Sequence, residues 1–167
     1  MIPSGPAGKV RVALLVLYGL LAALLLAGVV YARTCPCDRI PGLWVAGETV
    51  NEPVTDWSFA NDAGLCQVQV SGVLPHAVTL NCMADEQRLF LSCSNCAGKT
   101  WSSYALANPN GFIKIGEFRY PVLVTRVLEE TQLDKAWAAR LRKVVRDKGR
   151  PRPSHWWSFE LQSAKKY

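Results

Sequence analysis

Residues 12–32 form an uninterrupted run of 21 residues that carries no charge and is rich in Leu, Val and Ala. At about 1.5 Å of rise per residue, a helix of that length covers the roughly 30 Å of a bilayer's hydrocarbon core. Lys9 and Arg11 precede the run and Arg33 closes it. The alternative is a secretory signal cleaved after Val30-Tyr31-Ala32, but apolar signal cores span only about 7–15 residues. The run is therefore read as an uncleaved transmembrane helix (12–32), between a short arm (1–11) and a linker (33–41), with one domain (42–167) beyond. The arm has two cations and no acid, which favours keeping it in the cytoplasm. The expected location is a bacterial-type inner membrane, single-pass, with the C-terminal domain periplasmic. Six cysteines in a chain of 167 residues agree with an oxidising compartment.

Of the 19 Lys and Arg residues three flank the apolar run, so 16 basic residues face 13 acidic ones in the remainder. Seven of those cations stand between residues 140 and 152. On a membrane-anchored chain such a stretch reads as a solvated helix face or as a contact with anionic lipid headgroups, rather than as a nucleic-acid site. The lipid bilayer is thus the expected partner, and no nucleic acid is.

From residue 43 to about 125 the texture is that of strands. Short apolar or alternating runs stand at 57–59, 65–70, 77–82, 88–92, 112–115 and 119–128, with Trp44 and Trp57 placed in the first strands. Turn residues bound them at Gly64, Ser71-Gly72, Pro75, Asp85-Glu86 and Asn108-Pro109-Asn110-Gly111. Strands at this spacing predict a small barrel. Helices are predicted over 100–106 and 131–146. In the second, Leu133, Ala136, Trp137, Leu141 and Val144 recur at helical spacing and form a packing face. Gly149, Pro151 and Pro153 then break the helix, and a last strand runs over 155–161. Trp156 and Trp157 are adjacent in that strand and face opposite ways, so one of them is expected at the surface or an interface.

The cysteines admit three readings. In a hairpin of 65–71 and 77–83 pivoting near Leu74, Cys66 stands opposite Cys82, on the face of Val68, Val70, Val78 and Leu80. The two form either a disulfide or a pair of buried thiols. Cys93-Ser-Asn-Cys96 is a CxxC and Cys35-Pro-Cys37 a CxC, and four thiolates would suit zinc or an iron–sulfur centre. That requires the linker pair to converge on the other. A disulfide within Cys93–Cys96, or one pinning the linker to the loop beside Lys99, requires less. No βαβ pattern surrounds the CxxC, which argues against a thioredoxin-like role. The sequence has no Walker loop, GxGxxG, paired-carboxylate motif or Ser-His-Asp order, and only two histidines, His76 and His155.

The centre of the domain reads Leu89-Phe-Leu-Ser-Cys-Ser-Asn-Cys-Ala-Gly-Lys99-Thr-Trp101, followed by Ala107-Asn-Pro-Asn110. A strand ends in a hydroxyl residue, a Gly-Lys loop opens a short helix, and an Asn-Pro turn leads to the next strand. With 74–80 upstream and Trp156-Trp-Ser-Phe-Glu-Leu161 as a closing strand, this order resembles the pyridoxamine-phosphate-oxidase-like split-barrel flavoproteins and their deazaflavin-using nitroreductase relatives, over roughly residues 42–162. The resemblance implies a mainly β fold, a small split barrel with one or two peripheral helices. It also implies FMN or a deazaflavin in a groove, often shared between the subunits of a dimer, and an oxidoreductase. Ser92 and Lys99 match the family's hydroxyl and basic phosphate-contacting positions, and His76 stands where an arginine is frequent. Trp101 is read by default as the inner face of the short helix, and alternatively as a border to the cofactor ring. Because His76 supplies no fixed charge, a cofactor-free accessory or assembly subunit of a larger membrane complex is the second reading.

Overall fold

The computed structural model describes residues 6–33 and 40–164, and the chain divides into two compact units, residues 1–34 and 35–167. The described residues of the first form a single helix, α1 (Pro6–Arg33). Proline suits its first turn, where the missing N–H would have had no helical partner anyway. Within it Gly8–Tyr31 spans 24 residues at a mean hydropathy of 2.7, long and apolar enough to cross a membrane. A signal sequence shares both properties, and neither property sets an orientation.

The second unit is mainly β. Its strands are β1 (Glu48–Thr49), β2 (Cys66–Val70), β3 (His76–Asp85), β4 (Arg88–Ser94), β5 (Asn110–Ile115), β6 (Phe118–Arg126) and β7 (Trp156–Ser163). Six of them close a barrel in the order β6-β5-β2-β3-β4-β7, with β7 pairing back onto β6, while β1 runs parallel to the start of β6. Alternate residues of each strand point inward. Val68, Val70, Ala84, Leu89, Leu91, Ile113, Val122, Val124, Phe159 and Leu161 fill the interior, and each buried Val, Leu, Ile or Phe side chain contributes about 1.5–3 kcal/mol.

Strand β3 is shared between two half-sheets. Residues 76–80 pair with β2, and residues 81–85 pair with β4. Each half thereby leaves one backbone edge without a strand neighbour, and buried backbone groups must find other partners. Gly42 exchanges two hydrogen bonds with Ala77 (2.9 and 2.8 Å). The Asn61 amide does the same for Ala84 (2.8 and 3.2 Å), and the Lys143 ammonium donates to the Cys82 carbonyl (2.6 Å). These three contacts satisfy the edges that the split leaves open.

The register gathers Val70, His76, Ser94, Asn110, Arg126 and Trp156 at one end of the barrel. Helix α2 (Thr100–Ala107) closes that end, with Trp101 and Ala105 in the core and the Trp101 ring 4.9 Å from that of Phe159. Tyr104 lies so close to Gly72 that a Cβ there would meet its ring at 2.2 Å, so only glycine fits. Trp57 closes the opposite end, edge-on to Tyr120 at 5.4 Å. Helix α3 (Glu130–Lys143) covers one outer flank, where Met83, Phe90, Val127, Leu133, Ala136, Trp137, Ala139 and Trp156 form a second cluster. The Glu129 carboxylate starts α3 by accepting the N–H groups of Thr131 (3.1 Å) and Gln132 (2.8 Å).

Several sequence expectations are corrected. Residues 57–59 are not a strand: Ser58–Asn61 is a 3₁₀ turn, begun when Asp56 accepts the Ser58 N–H at 2.8 Å, and Trp44 lies outside every strand. Helix α3 stops at Lys143 because Val144 leaves helical geometry (φ −102°, ψ 89°), well before Gly149 and the prolines. The β2–β3 hairpin pivots at Val73 rather than Leu74, so Cys66 stands opposite Leu80. A shift of two residues preserves the face, and Cys66 reaches Cys82 diagonally, forming a disulfide with Cα atoms 5.7 Å apart.

Candidate functional site

The split of β3 opens a groove of about 510 Å³ at the α2 end of the barrel. One wall is the inward face of β3 (His76, Val78 and Leu80, each half-buried), and Ile40 and Pro41 flank it. The other wall is the loop from β4 to α2, contributing Gly98, Lys99, Thr100 and Trp101. Local chemistry fixes that loop. Asn95 (φ 51°) and Gly98 (φ 78°) take left-handed conformations, and a Cys93–Cys96 disulfide holds Cα atoms 5.5 Å apart. The Cys96 carbonyl accepts from Lys99 N–H (3.2 Å) and from the Ser102 hydroxyl (2.6 Å).

The groove's polar groups are few. Lys99 donates from Nζ to the Ser94 carbonyl (2.9 Å), which leaves two of its three N–H donors for other partners. No side chain caps the first turn of α2, and Thr100 and Trp101 of that turn face the groove. His76 stands edge-on to Tyr104 at 6.2 Å, and burial pushes its pKa below the ordinary 6.5, so it is neutral near pH 7. Trp101 is only 3% exposed and forms part of the floor. Three of the four residues singled out from sequence thus line one groove.

Ser92 does not join them. Leu91 and Cys93 point into the barrel, so Ser92 points outward, beneath α3. Its hydroxyl accepts from Arg140 Nη1 (2.6 Å) and from Trp156 Nε1 (2.7 Å). Arg140 in turn grips Asp147 Oδ2 through Nε (2.9 Å) and Nη2 (2.6 Å), all of it buried. Sequence reasoning missed Arg140 and Asp147. The signal was present for the first: Arg140 follows Ala136 by four residues and Leu133 by seven, which puts it on the apolar stripe of α3.

Ser92 borders a second groove of about 730 Å³, which shares Thr79 and Leu80 with the first. Lys143 lines it and donates to the carbonyls of Ala60 (2.7 Å) and Cys82 (2.6 Å). Burial lowers the Lys143 pKa, partly opposed by Asp62. The two disulfides remove Cys66, Cys82, Cys93 and Cys96 from any thiolate centre, while Cys35 and Cys37 lie outside the described residues. Of the adjacent tryptophans, Trp156 is buried against Trp137 at 5.0 Å. Trp157 is half-buried, with the Arg126 guanidinium 3.5 Å from its ring centre.

No family model matches the sequence, and no curated protein matches it. Solved structures do match. A protein of Listeria innocua, provisionally designated a pyridoxamine 5'-phosphate oxidase, superposes with a TM-score of 0.50 at 14% identity over 62% of this chain and 86% of its own. A protein of unknown function from Agrobacterium tumefaciens gives a TM-score of 0.52 at 10% identity over 63% and 52%. A FAD-binding protein of Mesorhizobium loti overlaps more loosely, with a TM-score of 0.46 at 13% identity over 60% and 80%. The closed six-strand barrel, with β3 divided between its halves, is the split-barrel fold of the pyridoxamine-phosphate-oxidase-like proteins.

Proposed function

We propose that the β-rich unit binds a flavin-type cofactor, FMN or a deazaflavin, in the groove between β3 and the 94–101 loop. The observation that carries this reading is the convergence of His76 with Lys99 and Trp101, from two distant chain segments, at a groove whose remaining wall is mostly apolar. The residues fit such a group. Ile40, Val78, Leu80 and Trp101 suit a flat ring, and Lys99 with the uncapped start of α2 suits a phosphate. Lys99 is the only fixed cation among the described residues of this groove, so the binding is expected to be loose. A bound flavin or deazaflavin supplies electron-transfer chemistry. The chain's own part is to orient the ring against β3, exclude water with Trp101 and neutralise the phosphate with Lys99. With α1 as an anchor, the domain would work at a membrane surface on the periplasmic side, as an oxidoreductase.

The test is the absorbance spectrum of detergent-purified full-length protein, with and without added FMN or deazaflavin. Bound cofactor should be present or taken up, and Lys99→Ala should weaken its binding by about tenfold. Unchanged occupancy in the variant would reject the role of Lys99, and failure of the wild type to bind either cofactor would reject the reading. A specific observation favours the second reading, a cofactor-free subunit of a membrane complex: Ser92, matched to a phosphate contact, is already bound by Arg140 and Trp156.

A further inference from the structure

A third groove, of about 440 Å³, lies at the C-terminal end of α3, outside the proposed cofactor site. Arg140, Arg146 and Arg150 line it, with Asp147 as the only acid among the described residues and Trp137 and Trp156 as apolar walls. Asp147 is committed to Arg140 through Oδ2. Its Oδ1 lies 4.0 Å from Arg146 Nε and 4.0 Å from Arg150 Nη1, beyond hydrogen-bond distance, and both arginine side chains are largely exposed (77% and 70%). The backbone beneath Arg150 is fixed. Arg150 donates its N–H to the Asp147 carbonyl (3.0 Å), and its own carbonyl accepts from Trp137 Nε1 (3.0 Å). Three guanidinium groups against one carboxylate leave two positive charges in a shaped, partly apolar recess.

From this charge excess we infer that the groove binds a phosphate dianion, presented either by an anionic lipid headgroup or by a soluble phosphate ester. Arg146 and Arg150 supply the forked donors that match phosphate oxygens. Arg140 is held in place by Asp147 and Ser92 and provides the buried positive field behind them. The two tryptophans make the site self-reporting, because a bound anion changes the surroundings of both indoles.

Full-length protein in nonionic detergent is titrated with inorganic phosphate at constant ionic strength, reading tryptophan emission and melting temperature together. Saturable changes in both are expected. Arg146→Gln/Arg150→Gln should weaken the apparent affinity by roughly tenfold or more without altering the melting temperature in the absence of phosphate. Lys148→Gln, at an exposed neighbouring cation outside the groove's lining, should leave the affinity intact. An equal response to chloride, a double variant that binds like the wild type, or an equal loss in Lys148→Gln would overturn the inference. Micelles doped with phosphatidic acid or with phosphatidylcholine then separate the two sources. Competition by phosphatidic acid alone identifies a lipid headgroup, and phosphate binding that neither lipid displaces identifies a soluble ester.

Discussion

The flank under α3 and the end under α2 are built from similar materials and finish in opposite states. Under α3, buried polar groups close on one another: Ser92 takes Arg140 and Trp156, and Arg140 takes Asp147. At the α2 end, Lys99 keeps spare donors, the helix start has no side-chain cap, and Val78 and Leu80 remain half-buried. A polar network that satisfies itself holds a structure together, whereas one with spare donors beside an apolar wall can hold a ligand. The comparison also explains why Ser92 and Lys99, seven residues apart, do different work. One lies on a strand whose alternation turns it beneath a helix, and the other lies in the loop after that strand.

The comparison breaks most visibly at Asp147. Asp147→Ala leaves the Arg140 guanidinium buried without its carboxylate, which should cost about 3–5 kcal/mol. Urea unfolding of the full-length protein measures it. A loss below about 1 kcal/mol would mean that the pair is solvated and the flank is no closed network.

The disulfides sharpen the same contrast at smaller amplitude. Cys66 and Cys82 are 16 residues apart, so replacing both with Ala should cost about 3 kcal/mol on the loop-closure account. Cys93 and Cys96 are only three apart, and the same formula gives about 1.5 kcal/mol. The second replacement should nevertheless have the larger effect on the β3 groove, because that disulfide anchors the loop bearing Lys99. Comparing the unfolding free energies of the two double variants with their cofactor uptake tests both halves of the statement.

Much of this was legible in the sequence. Alternation located β2 and β3, short runs between turn residues located β4 to β7, helical spacing located α3, and the order of the pieces around Lys99 pointed to a split barrel. What escaped had physical reasons. Residues 57–59 have strand-like side chains, but Asp56 captures the Ser58 N–H and turns the chain. The hairpin pivot moved by one residue and each cross-strand partner by two, a change that the hydrophobic pattern cannot detect because both registers bury the same face. Arg140 was read as one of a solvated row of cations because its partner, Asp147, lies beyond the helix end. A buried ion pair becomes visible only once the fold brings its two halves together.

The smallest expected effect lies at His76 and depends on pH. Burial holds its pKa below 6.5, so the folded state disfavours the imidazolium. Stability is therefore independent of this group above pH 6.5, falls as the pH drops from there through the folded pKa, and levels off below it. The other shifted groups fall outside that window, and two of them mark its alkaline and acid sides. Lys143, also lowered by burial, costs stability wherever it is charged, and that cost is relieved only as the pH rises through its folded pKa towards 10.5. Glu129 is lowered chiefly by the Thr131 hydroxyl and by the N–H groups it caps, so its contribution is lost below pH 4.5. His76→Gln should accordingly remove a shallow slope just below pH 6.5 and leave the alkaline and strongly acid limbs unchanged. Thermal unfolding of both proteins across that range measures it. An unaltered slope would mean that the β3 wall of the groove is wetter than its burial implies, which would weaken the contrast between the open end and the closed flank.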